Sequence, residues 1–245
     1  METRTRPERR ILPDCSRDRL QTFHELDTMG SEYIPKVHAP APWTLEGRAF
    51  GVLGILRAGT ALEAGPQGTR IPRLAVICAV EYTSSPVGPY NEVFSLVFPV
   101  PGSWFQAQVT HMYVDSDEST YWGRRNWAVP KMTAGIELHW DTGMVSANLD
   151  MDGTHRCTLE FDTPRVREGL PVRLPANFLR IRQSGLGKHL ITGLYGTGRV
   201  SPLHLKRFDS DGVLMPSRKS FIPLRGFMVR NFNFSMKKSV IVRAD

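Results

Sequence analysis

The sequence predicts a mostly β, α+β fold closed into a barrel or cone with few short helices, on three observations. From about residue 48, short apolar or β-branched runs recur with turn signals between them. Helical periodicity is confined to a few short stretches, and strands do not alternate with long helices, which argues against a doubly wound parallel sheet. The chain has 245 residues, a length at which β-rich closed domains remain undivided. Closure is expected because an open sheet of this many strands would leave exposed edges.

Residues 1–45 are polar with scattered prolines and read as an N-terminal arm that packs on or extends from a domain spanning 46–245. Pro40 and Pro42 mark an extended entry, and a short helix is expected over 20–26. Strands are expected at 50–56, 74–80, 93–100, 105–113, 136–140, 145–151, 157–161, 178–182, 190–195 and 227–242. The pair 145–151 and 157–161 flanks Asp152-Gly153, a strong hairpin turn signal. Short helices are expected at 124–128, stopped by Pro130, and at 203–208. Gly193 to Gly198 reads as a turn between strands, and Gly185 to Lys188 as a strand connection without phosphate-loop spacing.

Composition narrows the function classes. Apolar residues make up 41% and charged residues 22%, ordinary values for a soluble chain. No apolar run reaches membrane-spanning length, and Arg9-Arg10 is not followed by the hydrophobic region of a signal peptide. Cys15, Cys78 and Cys157 are odd in number and far apart, so neither a disulfide framework nor a thiolate metal site is indicated. A reducing, cytoplasmic setting follows as the expectation. The net charge of +7 is dispersed and no nucleic-acid motif accompanies it, so no nucleic-acid partner is expected; positive potential favours an anionic substrate or merely solvates the surface. No HxH or HExxH spacing exists, so no metal or other cofactor is expected. No Gly-x-Ser-x-Gly elbow exists either, which counts against an esterase.

The informative stretch runs from His111 to Lys131. It reads as a strand, a polar turn, a Gly123-Arg124 helix start and a Pro130-Lys131 step. Proline fixes its own φ and biases Val129 toward extended geometry, which stiffens the backbone at Lys131. Trp127, Val129, Pro130 and Met132 are apolar neighbours able to dehydrate the amine, and desolvation disfavours its charged form. A Pro-Lys step is common, however, and on spacing alone an ordinary solvated lysine is the simpler reading. Tyr90, Trp104, Trp122 and Trp127 either line a cavity or fill a core. His111 reads as a satisfied wall histidine in preference to a base.

In order, these residues resemble the acetoacetate decarboxylase-like superfamily. Tyr113, Asp115, Gly123, Arg124, Pro130 and Lys131 match its active-lysine segment without gaps. Upstream, the stretch from Thr83 through Gly88 and Tyr90 to Glu92 is similar to its Gly-x-Tyr-x-Glu loop and strand. Downstream, Pro175, Asn177 and Arg180 resemble its proline-asparagine strand. The likeness covers most of 45–208 and identifies the chain as a divergent member with that family's β-barrel or cone.

The resemblance implies Lys131 as Schiff-base lysine and Glu92 as the cavity glutamate that assists it. Arg48 takes the place of an arginine that meets a substrate carboxylate. Arg124 is a second candidate for that contact or, better, an anchor of the backbone near Lys131. Tyr90, Tyr113, Trp127, Met132, Glu81 and His111 complete the implied substrate-binding set. The departures are specific. In acetoacetate decarboxylase a cation beside the lysine depresses its pKa; here that position is Met132, so desolvation must replace it. The second cavity glutamate falls near Ile77, with Glu81 the closest carboxylate, and the acidic residue after Gly-Arg is Arg125.

The implied function is a lyase, decarboxylase-like, acting through an imine on a β-keto acid or related small-molecule carbonyl intermediate. The departures suit a larger, less polar substrate, as in secondary metabolism. A cyclase or aldolase-dehydratase, a non-covalent pericyclic catalyst in the same cavity and a non-catalytic small-molecule-binding barrel are the alternatives. The family resemblance also implies a homo-oligomer; the lack of an apolar span and of nucleic-acid motifs leads to the expectation of neither membrane nor nucleic acid as partner.

Overall fold

The computed structural model describes residues 33–59, 71–98, 106–163, 169–185 and 188–242. The chain divides into two units, Met1–Ile34 and Pro35–Asp245, and the elements below belong to the second. The helix expected over 20–26, and most of the expected N-terminal arm, lie outside the described residues.

Twelve strands and one helix are found among the described residues. They run β1 (Trp43–Leu56), β2 (Arg73–Ser84), β3 (Tyr90–Val97), β4 (Gln106–Val114), α1 (Asp117–Trp127), β5 (Lys131–Thr133), β6 (Gly135–Trp140), β7 (Met144–Met151), β8 (His155–Asp162), β9 (Leu170–Gly185), β10 (Lys188–Ser210), β11 (Phe221–Met236) and β12 (Val240–Val242). Seven strands form a closed circuit of pairings: β11–β1–β2–β3–β4–β9–β10, with β10 returning to β11. Every neighbour in the ring is antiparallel except β4 and β9, which pair in parallel over two residues. The far end of β10 leaves the ring to pair with β8, which carries β7 and β6 as a three-stranded extension. The expected closed, mostly β architecture is therefore the observed one.

Two apolar cores follow from the period-2 alternation of these strands. One lies between the outer face of the ring and the β6–β8 extension, built from Phe50, Val52, Ile77, Ala79, Val145, Leu159 and Phe161. The other fills the ring interior and includes Trp43, Leu45, Val80, Tyr82, Val109, Val114 and Trp127. The alternation is visible within one strand: on β2, Ile77 and Ala79 join the outer core, whereas Cys78, Val80 and Tyr82 join the inner one.

Three local expectations differ from the structure. Residues 203–208 are strand, not helix: Leu203 and Leu205 point the same way, and a register shift between Leu205 and Arg207 returns Phe208 to the core. The bulge broke the period-2 pattern and imitated helical spacing. Residues 193–198 are likewise interior to β10. Their glycines permit close strand contact, since a Cβ on Gly196 would lie 2.4 Å from the Asn233 carbonyl oxygen. The helix expected at 124–128 begins seven residues earlier, at Asp117. The Asp152-Gly153 hairpin is present, with both residues at positive φ (56° and 70°) and the Gly153 amide donating to Asp150 Oδ1 at 2.8 Å.

Candidate active site

Helix α1 sets the site. Ser116 caps its N-terminus, accepting the Ser119 amide at 3.2 Å, with Asp117 and Glu118 in the first turn and Arg124 and Arg125 in the last. Ser119, Trp122, Gly123 and Trp127 form its buried stripe. The helix ends at Ala128 in the left-handed region (φ 51°), whose N–H caps the Arg124 carbonyl at 2.9 Å. Pro130 then turns the chain into β5, where Lys131 aligns with Met112 of β4. Arg124 reaches forward to donate from Nε to the Lys131 carbonyl oxygen at 2.6 Å, holding the backbone that carries the amine.

The Lys131 side chain runs into the ring interior, and the residue as a whole is 4% exposed. Its Nζ lies 2.8 Å from Glu92 Oε2, donates to Ser119 Oγ at 3.1 Å and sits 5.2 Å from the Tyr90 ring centroid. Glu92, on β3, is 2% exposed. Its other oxygen accepts the Tyr82 hydroxyl at 3.1 Å. Tyr82 and Tyr90 face each other across β2 and β3 with ring centroids 4.6 Å apart. Burial, reinforced by the charge on Glu92, pushes both phenols well above their ordinary range, so both remain neutral donors. Burial first and Glu92 second also push the Cys78 thiol upward, away from thiolate reactivity.

The wall beside the amine is glycine for a steric reason. A Cβ on Gly123 would stand 2.9 Å from Lys131 Cδ and 3.4 Å from Nζ. The Gly-Arg step thus does two things for the next segment: Gly123 makes room for the lysine side chain and Arg124 ties down its backbone.

A cavity of about 350 Å³, open to solvent on one side, lies on the inner face of the ring beside Tyr82. Its described lining includes Cys78, Val80, Tyr82, Phe94, Leu96, Leu194 and Phe232. Tyr82 is the link, with its ring on the cavity and its hydroxyl on Glu92. Neither Lys131 nor Glu92 is among the lining residues, so the amine does not face the cavity directly as the sequence reading expects. The described contacts link it to the cavity through Glu92 and Tyr82. A larger hollow of about 550 Å³, lined by Arg173, Leu174, Pro175, Tyr195, Gly196, Thr197 and Asn233, contains none of the pair's partners.

Of the residues singled out from sequence, the structure brings together Lys131, Glu92 and Tyr90, with Arg124 beneath them. It separates the rest. Arg48 and Glu81 pair with each other on the outer face of the ring, where the Arg48 guanidinium stacks over Trp140 at 4.2 Å. Both belong to the opposite strand parity from Val80 and Tyr82, and so neither is placed to meet a substrate at Lys131. Tyr113 and Met132, aligned across β4 and β5, also face the outer core. Trp127 is buried in the inner core, its indole N–H donated to the Lys237 carbonyl at 2.9 Å and its ring edge-on to Trp43. His111 is bonded through Nδ1 to Ser95 Oγ at 3.0 Å and Thr110 Oγ1 at 3.1 Å, a satisfied wall histidine.

Sequence reasoning missed two members, Ser119 and Tyr82. Ser119 carries a readable signal: Ser116-Asp-Glu is a helix start, and 119, 122 and 123 then share a face. Tyr82 would have required knowing the β2–β3 register, which pairs it with Tyr90.

The family model for acetoacetate decarboxylase matches residues 63–192, which contain Glu92, Ser119 and Lys131. Among solved structures the chain is similar to acetoacetate decarboxylase from Legionella pneumophila subsp. pneumophila str. Philadelphia 1, at 15% identity and TM-score 0.56, covering 89% of this chain and 95% of that one. It is also similar to an acetoacetate decarboxylase-like enzyme from Sphingomonas wittichii RW1, at 12% identity and TM-score 0.54, covering 87% and 99%. A third is the enduracididine biosynthesis enzyme MppR, at 13% identity and TM-score 0.53, covering 84% and 89%. That enzyme's pyruvate complex matches with TM-score 0.51 at 12% identity, covering 87% and 93%. At these identities the likeness is one of fold. Among curated proteins none matches the chain.

Proposed function

The chain belongs to the acetoacetate decarboxylase family, and from that premise we propose that it is an enzyme using Lys131 to form an imine with a carbonyl substrate, a decarboxylase-like lyase of secondary metabolism. The observation that carries this reading is the contact of two buried groups, Lys131 Nζ and Glu92 Oε2, at 2.8 Å. Exposed lysine–carboxylate pairs are commonplace and contribute little. An amine and a carboxylate removed together from water are costly to place, and such pairs recur where proton transfer is needed.

The chemistry balances with these groups alone. Lys131 Nζ passes a proton to Glu92 Oε2, and the freed lone pair attacks the carbonyl carbon. The C=O π pair moves to oxygen, which takes the proton back from Glu92. Glu92 then takes a second proton from Nζ and gives it to the hydroxyl, which departs as water and leaves the iminium. In a β-keto acid the bond to the carboxylate then breaks. Its electron pair becomes the C=C bond of an enamine as the iminium π pair moves to nitrogen, and carbon dioxide leaves. Protonation at carbon and hydrolysis of the iminium release the ketone and restore Lys131. Ser119 Oγ fixes Nζ, and the Tyr82 hydroxyl fixes Glu92. The same iminium serves aldol, dehydration or cyclisation chemistry when a proton, not carbon dioxide, is lost, and the structural likeness to an enzyme held in complex with pyruvate keeps keto acids within that range.

A second reading, non-covalent catalysis or binding in the cavity, is favoured by one observation: the described cavity lining includes neither Lys131 nor Glu92. Oxygen exchange separates the two. Reversible imine formation replaces a ketone's carbonyl oxygen with oxygen from water. Incubation of acetoacetate, pyruvate and a neutral methyl ketone in H₂¹⁸O should give enzyme-dependent label in at least one of them, and Lys131→Met should abolish it. Equal exchange by the variant would remove the imine from the mechanism.

A further inference from the structure

We infer that the ring-interior cavity is the substrate chamber and that it selects an uncharged, apolar ketone or aldehyde over a small keto acid; this rests on the imine-forming role proposed above and narrows it to the branch in which the iminium loses a proton, aldol, dehydration or cyclisation, in place of decarboxylation. At about 350 Å³ the cavity stands at the low end of the roughly 300–1,000 Å³ range of small-molecule sites. Seventeen described residues line it, and all are uncharged. Most are aliphatic or aromatic: Val80, Phe94, Leu96, Leu194, Val229 and Phe232 form its walls. The polar groups among the lining side chains are the Thr197 hydroxyl, the Cys78 thiol and the Tyr82 hydroxyl, and the last is donated to Glu92.

This asymmetry orients an occupant. An alkyl or aryl group gains by leaving water for the apolar walls. A carbonyl oxygen is best placed at the Tyr82 end, where a lining hydroxyl is bonded to Glu92 of the buried pair. A carboxylate would lose its hydration with no cation among the described lining to replace it. Arg48, the sequence candidate for that contact, is on the outer face of the ring paired with Glu81. Arg173 lines the neighbouring hollow and is exposed.

Calorimetric titration of the Lys131→Met variant measures the chamber without the imine. The probes are 2-nonanone, octanoate of nearly equal size, and acetoacetate. The inference expects 2-nonanone to bind at least tenfold more tightly than either anion. It also expects Leu179→Trp, which projects into the cavity from a half-buried lining position, to weaken 2-nonanone at least tenfold in the same background. As a check against misfolding, Phe94→Ala should shift preference toward the longer 2-undecanone. Anions binding as tightly as the ketone, or ketone affinity indifferent to both lining substitutions, would overturn it. Ketone binding to the variant without ¹⁸O exchange by the wild type would leave the chamber standing and remove the imine. Exchange with acetoacetate alone, and no ketone binding, would do the reverse.

Discussion

Among the described residues, a basic–acidic pair lies on each face of the seven-stranded ring, and strand alternation decides what each is suited for. Inside, Lys131 and Glu92 side chains are 5% and 3% exposed. Outside, Arg48 and Glu81 side chains are 43% and 30% exposed, with the guanidinium lying on Trp140. Glu81 and Tyr82 are neighbours in sequence, yet one meets Arg48 in partial contact with solvent and the other reaches the buried carboxylate. Chemistry that needs a dry amine is open to the first pair only. The second is a surface-type ion pair whose charges water still screens.

Removing one partner from each pair sharpens that contrast most. Glu92→Ala leaves the Lys131 ammonium buried without a counter-charge and should cost about 3–5 kcal/mol of unfolding free energy in urea titration. Replacing both members by apolar residues, Lys131→Met with Glu92→Leu, should recover most of that loss while imine formation stays absent. If the double variant were no more stable than Glu92→Ala, the pair would owe its place to something other than mutual charge compensation.

Gly123→Ala comes next. A methyl 2.9 Å from Lys131 Cδ must push the side chain aside, since the lysine is held at both its backbone and its amine. The expected destabilisation is about 1–3 kcal/mol, the range of overpacking in a filled core. Imine formation should fall at least tenfold. Alanine normally favours a helix, so a stabilised variant with unchanged activity would show that the lysine has room to spare.

On the outer face, Arg48→Ala should change stability by no more than about 1 kcal/mol, since exposed pairs and exposed cation–π contacts are weak. It should leave ¹⁸O exchange intact. A large loss of exchange would place Arg48 in the chemistry and break the division between the faces.

The smallest effect belongs to the rim of the β6–β8 extension. Burial pushes the Asp211 carboxyl up, but the Val213 and Leu214 amides and His155 outweigh it and hold the group below the usual carboxylate range. A carboxyl depressed on folding adds stability that is fully present above its unfolded pKa and is lost as pH falls through its folded one. The stability gap between wild type and Asp211→Asn should therefore be open at neutral pH and close in acid. A constant gap across that window would exclude the linkage.

Much of this architecture was legible in the residues. Period-2 runs disclosed the strands, Asp152-Gly153 the hairpin, and the ordered residues from Tyr90 to Lys131 the family. What resisted reading depends on non-local register. A bulge in β10 shifts Phe208 by one position and makes a strand look helical. Close strand packing at Gly196 makes a strand interior look like a turn. Arg48 was misjudged because sequence order preserves a family position without its strand parity, and the face is fixed by the pairing of Arg48 with Glu81. Lys131 and Glu92 lie in short matched segments whose local geometry is stiff, Pro130 at one and an unbroken β2–β3 register at the other, and the structure brings their side chains together.

Borohydride reduction during incubation with a panel of 2-nonanone, acetoacetate and pyruvate, followed by peptide mass mapping, tests the central claim most directly. The account predicts a reduced adduct on the peptide carrying Lys131, heaviest in yield with the neutral ketone and absent in Lys131→Met. No adduct at Lys131 with any carbonyl compound, or equal labelling spread over exposed lysines, would contradict it.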